Sequence, residues 1–170
     1  MTNAANRAVL RTLVIPVRGD QVLLGRKKQH RDGAFGVGKW NGFGGKLEPG
    51  ETLEQAAIRE CQEESGITPL HLEKVAELDF VDDYQIFGHV YLCRQWTGEP
   101  VETAEMLPAW FNKTDLPLTE MWDDDIFWLP AVLTGKRVKA SFTFHHVDDS
   151  LGTGANPVAK VSIQVVSQFD

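Results

Sequence analysis

The sequence predicts an α/β fold: a mixed β-sheet held between two main helices, in a single domain spanning residues 1–170. Three observations carry this reading. Apolar, β-rich segments flank one long segment that nothing breaks and that reads as a helix. At 170 residues and 42% hydrophobic, the chain has enough apolar mass for one proper core. No internal repeat and no linker divides it.

Taken in order, Ala8 to Val17 and Gln21 to Gly25 read as strands around a Gly19-Asp20 turn, a hairpin. Lys27 to Gly38 is a polar, Gly-rich loop enclosing Ala34, Phe35 and Val37, of the kind that carries function or moves. Trp40 to Gly45 leads into turn chemistry at Glu48-Pro49-Gly50-Glu51-Thr52. The main helix then runs from Leu53 to Ser65, with Thr52 as N-cap, Gln55 three residues on, and Gly66 as the stop. Leu72 to Val81 and Gln85 to Trp96 are strands joined by an acidic turn at Asp82-Asp83, and Trp110-Phe111 is a short strand. Trp122 to Leu133 is apolar enough for a second helix closed by Gly135, with Pro130 expected to bend or restart it. Ala140 to Val147 and Val158 to Gln168 alternate as strands around a Gly/Asn/Asp-rich loop, Asp148 to Pro157.

The chemistry concentrates between Gly45 and Ile67, GKLEPGETLEQAAIRECQEESGI. On a helix Glu60, Glu63 and Glu64 fall at i, i+3 and i+4, so three carboxylates share one face. That face continues the arc of Leu53, Ala56 and Ala57, while Gln55, Arg59 and Gln62 face outward. Clustered carboxylates on a partly buried arc repel one another and lose hydration, at a cost of several kcal/mol per ion unless cations compensate. An all-oxygen donor set suits Mg²⁺ or Mn²⁺ better than Zn²⁺. Cys61 and Cys93 stand alone, and the His145-His146 pair reads as a strand position. For Arg59 the expected role is a salt bridge to Glu51 that holds the loop against the helix.

The spacing Gly-x5-Glu-x7-Arg-Glu-U-x-Glu-Glu-x-Gly-U, with U a bulky apolar residue, is met by Gly45, Glu51, Arg59, Glu60, Glu63, Glu64 and Gly66, with Cys61 and Ile67 at U. Seven fixed residues at ordinary usage give a chance match below about 10⁻⁸ per starting position. This segment resembles the signature of the Nudix hydrolases, which cleave nucleoside diphosphates linked to a further group. The resemblance implies an α/β/α sandwich and a Mg²⁺ cofactor, with Mn²⁺ as a substitute. Cys61 departs from the pattern by being smaller than the aliphatic residue usual there, which touches packing and not a ligand.

Three flanking strings extend the resemblance to one subgroup, the oxidised purine nucleoside triphosphatases: Leu23 to Lys28, Lys39 to Lys46, and Met121 to Asp125. It runs from about Arg11 to Phe144, with similar context over Gly98 to Phe111. By this resemblance the metal ligands are Glu60, Glu63, Glu64, the carbonyl of Gly44, and Glu105. Thr12, Lys27, Phe35, Asn41, Phe43, Gly44, Gly45, Lys46, Phe80, Trp122, Asp123, Asp124 and Asp125 line the nucleotide pocket. Glu60, Glu63 and Glu64 form the catalytic set, with Glu63 or Glu64 activating water; ligand and base roles stay open between them. Asp123 stands where the subgroup has proline, and the loop from Gln29 to Lys39 and the tail past Asp148 are longer.

The pocket residues make chemical sense individually. Trp122 offers a flat surface for a purine, and Asn41 carries both a donor and an acceptor. Desolvation and mutual repulsion should raise one of the Asp124 and Asp125 pKa values, leaving an acid able to donate. Each has a plainer role as well: Trp122 in a core, Asp123 to Asp125 at a helix N-terminus, Asn41 in a turn.

Composition bounds the partners. A formal net charge of −7 argues against a long nucleic-acid track and is compatible with a small nucleotide held through cations. The N-terminal MTNAANRAVLRTL lacks the features of a secretory signal, no apolar run approaches the length of a membrane helix, and two Cys give no disulfide framework. The expectation is a cytoplasmic monomer (nuclear or mitochondrial locations are open in a eukaryote) with no stable nucleic-acid complex and no membrane. It would hydrolyse 8-oxo-dGTP and 2-hydroxy-dATP to monophosphate and pyrophosphate, sanitising the nucleotide pool. The alternatives are another Nudix pyrophosphohydrolase, acting on a methylated purine triphosphate, a dinucleoside polyphosphate or an RNA cap, and a catalytically silent nucleotide-sensing module.

Overall fold

The structure is a computed structural model that describes residues 8–28, 36–81, 85–145 and 157–170. Phe35, the Asp82-Asp83 turn, His146 and most of the Asp148 loop lie outside these residues. The elements are β1 (Val9–Arg18), β2 (Gln21–Lys27), β3 (Trp40–Asn41), α1 (Leu53–Ser65), β4 (Thr68–Pro69), β5 (Glu73–Val81), β6 (Gln85–Cys93), β7 (Trp96–Thr97), β8 (Met106–Asn112), α2 (Asp125–Leu133), β9 (Arg137–Phe144) and β10 (Val158–Val166). A single turn of 3₁₀-helix, Leu118–Glu120, precedes α2.

The main sheet has the order β10-β9-β5-β6-β1-β2-β3, with β8 also paired to β2. It is mixed: β1 runs parallel to β6 and β5 parallel to β9, while the remaining pairs are antiparallel. Side chains alternate along these strands and divide the core in two. Val14, Leu23, Tyr91 and Cys93 pack with Phe43, Ala57, Cys61 and Ile67 on the α1 face. Their neighbours Ile15, Val22, Leu24, Val90 and Leu92 pack with Trp128, Leu129 and Val132 on the α2 face. Each large apolar side chain so buried contributes about 1.5–3 kcal/mol, which fixes both helices against the sheet. The result is the α/β/α sandwich expected.

The hairpin of β1 and β2 is short-lived. Only Val17↔Val22 and Arg18↔Gln21 pair, after which the strands part. The chain from Phe43 to Leu47 fills the split along β1: Val14 and Phe43 exchange both N–H bonds (2.7 and 2.9 Å), Thr12 N–H donates to the Gly45 carbonyl (2.9 Å), and Leu47 N–H to that of Leu10 (3.1 Å). This wedge of backbone follows directly on β3, which pairs with β2, so the chain spans the split.

Several boundaries differ from the expectation. β8 is seven residues long rather than Trp110-Phe111 alone, because Pro108 can sit in an edge strand that pairs on one side only. α2 begins at Asp125, not Trp122, and is continuous through Pro130, whose missing N–H falls on the solvent side beside exposed Ile126. β9 spans Arg137 to Phe144 and so ends before His145, which corrects its strand placement. Among the described residues no helix is long and apolar enough to cross a membrane.

Candidate active site

The acidic half of the candidate site is built on α1. Thr52 and Gln55 form a reciprocal capping box, and Gly66 closes the helix in the left-handed region (φ 80°). Small Ala56, Ala57 and Cys61 let α1 lie close to the sheet, so its acidic face meets the wedge of backbone beside β1. Glycine is required at Gly44, where a Cβ would overlap the Thr12 carbonyl oxygen; at Gly45 one would press on the movable end of the Glu60 side chain. The Gly44 N–H donates to Glu64 Oε2 (2.9 Å).

The three helix carboxylates occupy unequal surroundings. Glu64 is 8% exposed, whereas the side chains of Glu60 and Glu63 are 17% and 60% exposed. Glu63 therefore leaves the buried arc and reaches the rim. Burial pushes the Glu64 carboxyl up to about 8, against the Gly44 N–H, with the charges of Glu60 and Glu105 adding and that of Lys27 opposing. Burial raises Glu60 as well, with Arg59 pulling the other way.

Arg59 does more than the expected loop contact. Its Nε and Nη2 grip the two Glu51 carboxylate oxygens (2.6 and 3.0 Å), which holds Glu51 below its usual range. Nη2 also donates to the Lys46 carbonyl (3.2 Å), and Nη1 turns to Glu60 (2.9 Å) and Glu63 (3.4 Å). Arg59 thus shares the acidic face instead of lying on another. Among the described residues no three Asp, Glu, His or Cys side chains converge on one point. Glu60 and Glu63 face Arg59, and Glu64 faces Gly44. The donor chemistry still fits a hard divalent ion. Glu64 is a desolvated carboxyl with one N–H partner, Glu60 is half-buried, and the field of Glu105 reaches both.

The second half of the site lies where the chain enters α2. Asp125 is 3% exposed and accepts the Trp122 N–H at Oδ2 (3.1 Å); Asp124, 6% exposed, accepts from Trp128 Nε1 (3.2 Å). Burial raises both carboxyls. Asp124 is pushed up to about 6, with the Trp128 N–H opposing and the Asp123 charge adding. Asp125 lies well above the usual range, with Asp124 adding to the effect of burial. Asp123 itself is exposed, on the solvent side of the turn.

Lys39, absent from the predicted set, belongs here. Its Nζ lies 5.1 Å over the Trp122 ring and donates to the Met121 carbonyl (3.2 Å), and its charge favours ionised Asp125. It opens the string Lys39 to Lys46, but nothing local in that string pairs it with Trp122. Lys27 connects the two halves: its charge acts on Glu64, while Gly36 packs between its stem and the Trp122 ring.

The other predicted residues divide. Asn41 stands on β3 beside Gly25, its Oδ1 taking the Gly42 N–H (2.9 Å). Thr12 is buried on β1 and its hydroxyl has no partner among the described residues. The Phe43 ring is buried in the α1-face core, so only its backbone faces the split, and Lys46 is exposed. Phe80 is half-buried and stacks on Phe142 and Phe144 (5.6 and 6.1 Å). Glu105 stands on the loop before β8.

The pattern of the NUDIX domain matches residues 8–132. The chain is 44% identical over 142 residues to an oxidized purine nucleoside triphosphate hydrolase of Danio rerio, covering 82% of this chain and 88% of that protein. It is 39% identical over 145 residues to the protein of that name from Mus musculus, covering 84% and 90%. The fold is similar to the crystal structure of a mutator MutT protein from Bacillus halodurans, with a TM-score of 0.74 at 24% identity over 91% of this chain and 97% of that one.

Proposed function

The chain belongs to the NUDIX family, and we propose from that premise that it hydrolyses oxidised purine nucleoside triphosphates, 8-oxo-dGTP and 2-hydroxy-dATP, so clearing them from the nucleotide pool. The observation that carries the substrate class is the pair of buried carboxyls, Asp124 and Asp125, beside Trp122, both raised above their ordinary range by burial. Water adds to the α-phosphorus, the bond from that phosphorus to the α–β bridging oxygen breaks, and the products are monophosphate and pyrophosphate.

Nudix hydrolases work with divalent metal ions. In our reading Glu60, Glu63, Glu64, Glu105 and the Gly44 carbonyl would hold Mg²⁺, or Mn²⁺ in its place, which would supply neutralising charge and lower the pKa of water there. The chain's own residues do the rest. Burial makes Glu64 basic for a carboxylate, so Glu64 is suited to taking the proton of the attacking water, with Glu63 as the second candidate. Lys27 sits between the halves and meets the phosphate chain. Gly44 and Gly45 let the backbone lie against β1 and the Glu60 carboxyl, which places the Gly44 carbonyl beside the α1 carboxylates.

At the base end Trp122 stacks the purine and Asn41 reads its edge. Asp124 and Asp125 each spend one oxygen on a tryptophan N–H and offer the other to the base. With one proton between them the pair donates at one carboxyl and accepts at the other, and moving that proton accommodates both oxidised bases. The working form in this reading is a cytoplasmic monomer. The reaction is tested with 8-oxo-dGTP in water labelled with heavy oxygen: label should enter the monophosphate, with unlabelled pyrophosphate released. Label in pyrophosphate, or release of orthophosphate, would overturn attack at the α-phosphorus.

A further inference from the structure

The loop that carries Glu105 is tied to the end of α1 through one side chain. A helix leaves its last carbonyls without intrahelical partners. Here the Val101 N–H donates to the Ser65 carbonyl (2.9 Å), and the Thr103 hydroxyl donates to that of Glu64 (3.1 Å). The Thr103 hydroxyl oxygen also accepts the N–H groups of Glu105 (3.3 Å) and Met106 (3.1 Å), and Thr103 N–H closes the turn on the Met106 carbonyl (2.9 Å). A hydroxyl has one proton to give and two lone pairs to share, so all its capacity is spent on this junction. From the other side Lys28 clasps the loop, its N–H on the Glu105 carbonyl (2.7 Å) and its Nζ on Glu102 (2.6 Å) and the Thr103 carbonyl (2.9 Å).

We propose that Thr103 is a positioning residue of the hydrolytic centre: its hydroxyl locks the Glu105 turn to the Glu64 turn of α1 and so sets the loop carboxylate in register with the helix carboxylates. The inference rests on the metal reading given above and adds to it the part that makes one site of a loop and a helix. Glu64 and Glu105 arrive from elements 41 positions apart in the chain, and Glu105 stands on an exposed loop just before β8. Without the hydroxyl the helix end keeps Val101, but the turn loses its bonds to the Glu105 and Met106 N–H groups. Residues that orient metal ligands change metal affinity by about 10–100-fold when removed.

The test is equilibrium Mn²⁺ binding without nucleotide, followed by loss of the free-ion paramagnetic signal, in wild type, Thr103→Val, Thr103→Ser and Glu105→Gln, each also melted in chelator. Thr103→Val should weaken Mn²⁺ binding by about tenfold and raise the Mg²⁺ needed for half-maximal turnover, with nucleotide KM unchanged at saturating Mg²⁺. Thr103→Ser, which keeps the hydroxyl, should restore binding to within about twofold. Wild-type Mn²⁺ affinity in Thr103→Val, with only a lowered Tm, would reduce Thr103 to a helix cap and overturn the proposal while Glu105→Gln still binds weakly. Wild-type affinity in Glu105→Gln would instead overturn the metal role of Glu105, and this proposal with it.

Discussion

Individual residues in the site are set apart by burial more than by chemical type. Glu60 and Glu64 are identical side chains, yet Glu64 is buried the more deeply and its carboxyl is pushed up to about 8. Several kcal/mol of transition-state charge stabilisation pass through such a group, so Glu64→Gln should lower kcat by about a hundredfold or more with a smaller change in KM; a variant retaining wild-type kcat would remove Glu64 from the mechanism. Asp124 and Asp125 follow the same rule at the base end. With Asp124 raised to about 6, the ratio of kcat/KM for 8-oxo-dGTP and 2-hydroxy-dATP should change with pH through about 6. Asp124→Asn and Asp125→Asn should flatten that dependence and shift the ratio; unchanged ratios and profiles in both variants would contradict the shared-proton reading.

At the scale of elements, what could be read in advance was what the chain encodes locally. α1 runs from Leu53 to Ser65 as expected because its signals are contiguous: Thr52 and Gln55 cap each other, and Gly66 takes the left-handed turn. Thr52→Ala should cost about 1 kcal/mol, read as a lower denaturation midpoint at unchanged denaturant slope; no change would mean that tertiary packing alone holds the helix start. What escaped depends on distant partners. β3, β4 and β7 have two residues each and exist only by pairing, and Pro108 obscured a strand that needs β2 beside it. Trp122 precedes α2 because the Asp125 carboxyl takes its N–H, a local contact that selects one of two N-termini sharing one acidic run. Lys39 belongs with Trp122 only because the two meet across 83 positions of chain. Glu60, Glu63, Glu64, Asp124 and Asp125 were legible as types and spacings, but their unequal burial was not.

For the whole molecule, the site carries a cost in stability. Glu64 and Asp124 have folded-state pKa values above their ordinary ones, so their neutral forms favour folding. That contribution is complete below about pH 4 and is lost as pH rises through about 6 for Asp124 and about 8 for Glu64. Metal-free protein should therefore lose Tm between pH 5 and pH 8 by more than Glu64→Gln does, and Mg²⁺ should raise Tm more at pH 8 than at pH 5; a Tm independent of pH in both proteins would contradict the buried-carboxyl account. The two halves of the site, acidic α1 and the entry to α2, are linked through Lys27, and the proposed activity needs both. The most direct measurement is kcat/KM for pyrophosphate release with Mg²⁺, comparing 8-oxo-dGTP with dGTP. The account predicts a preference for the oxidised base of about tenfold or more, the worth of one well-made hydrogen bond to a charged group. Equal turnover would leave the hydrolytic chemistry of α1 in place and contradict the assignment of Asn41, Trp122, Asp124 and Asp125 to an oxidised purine.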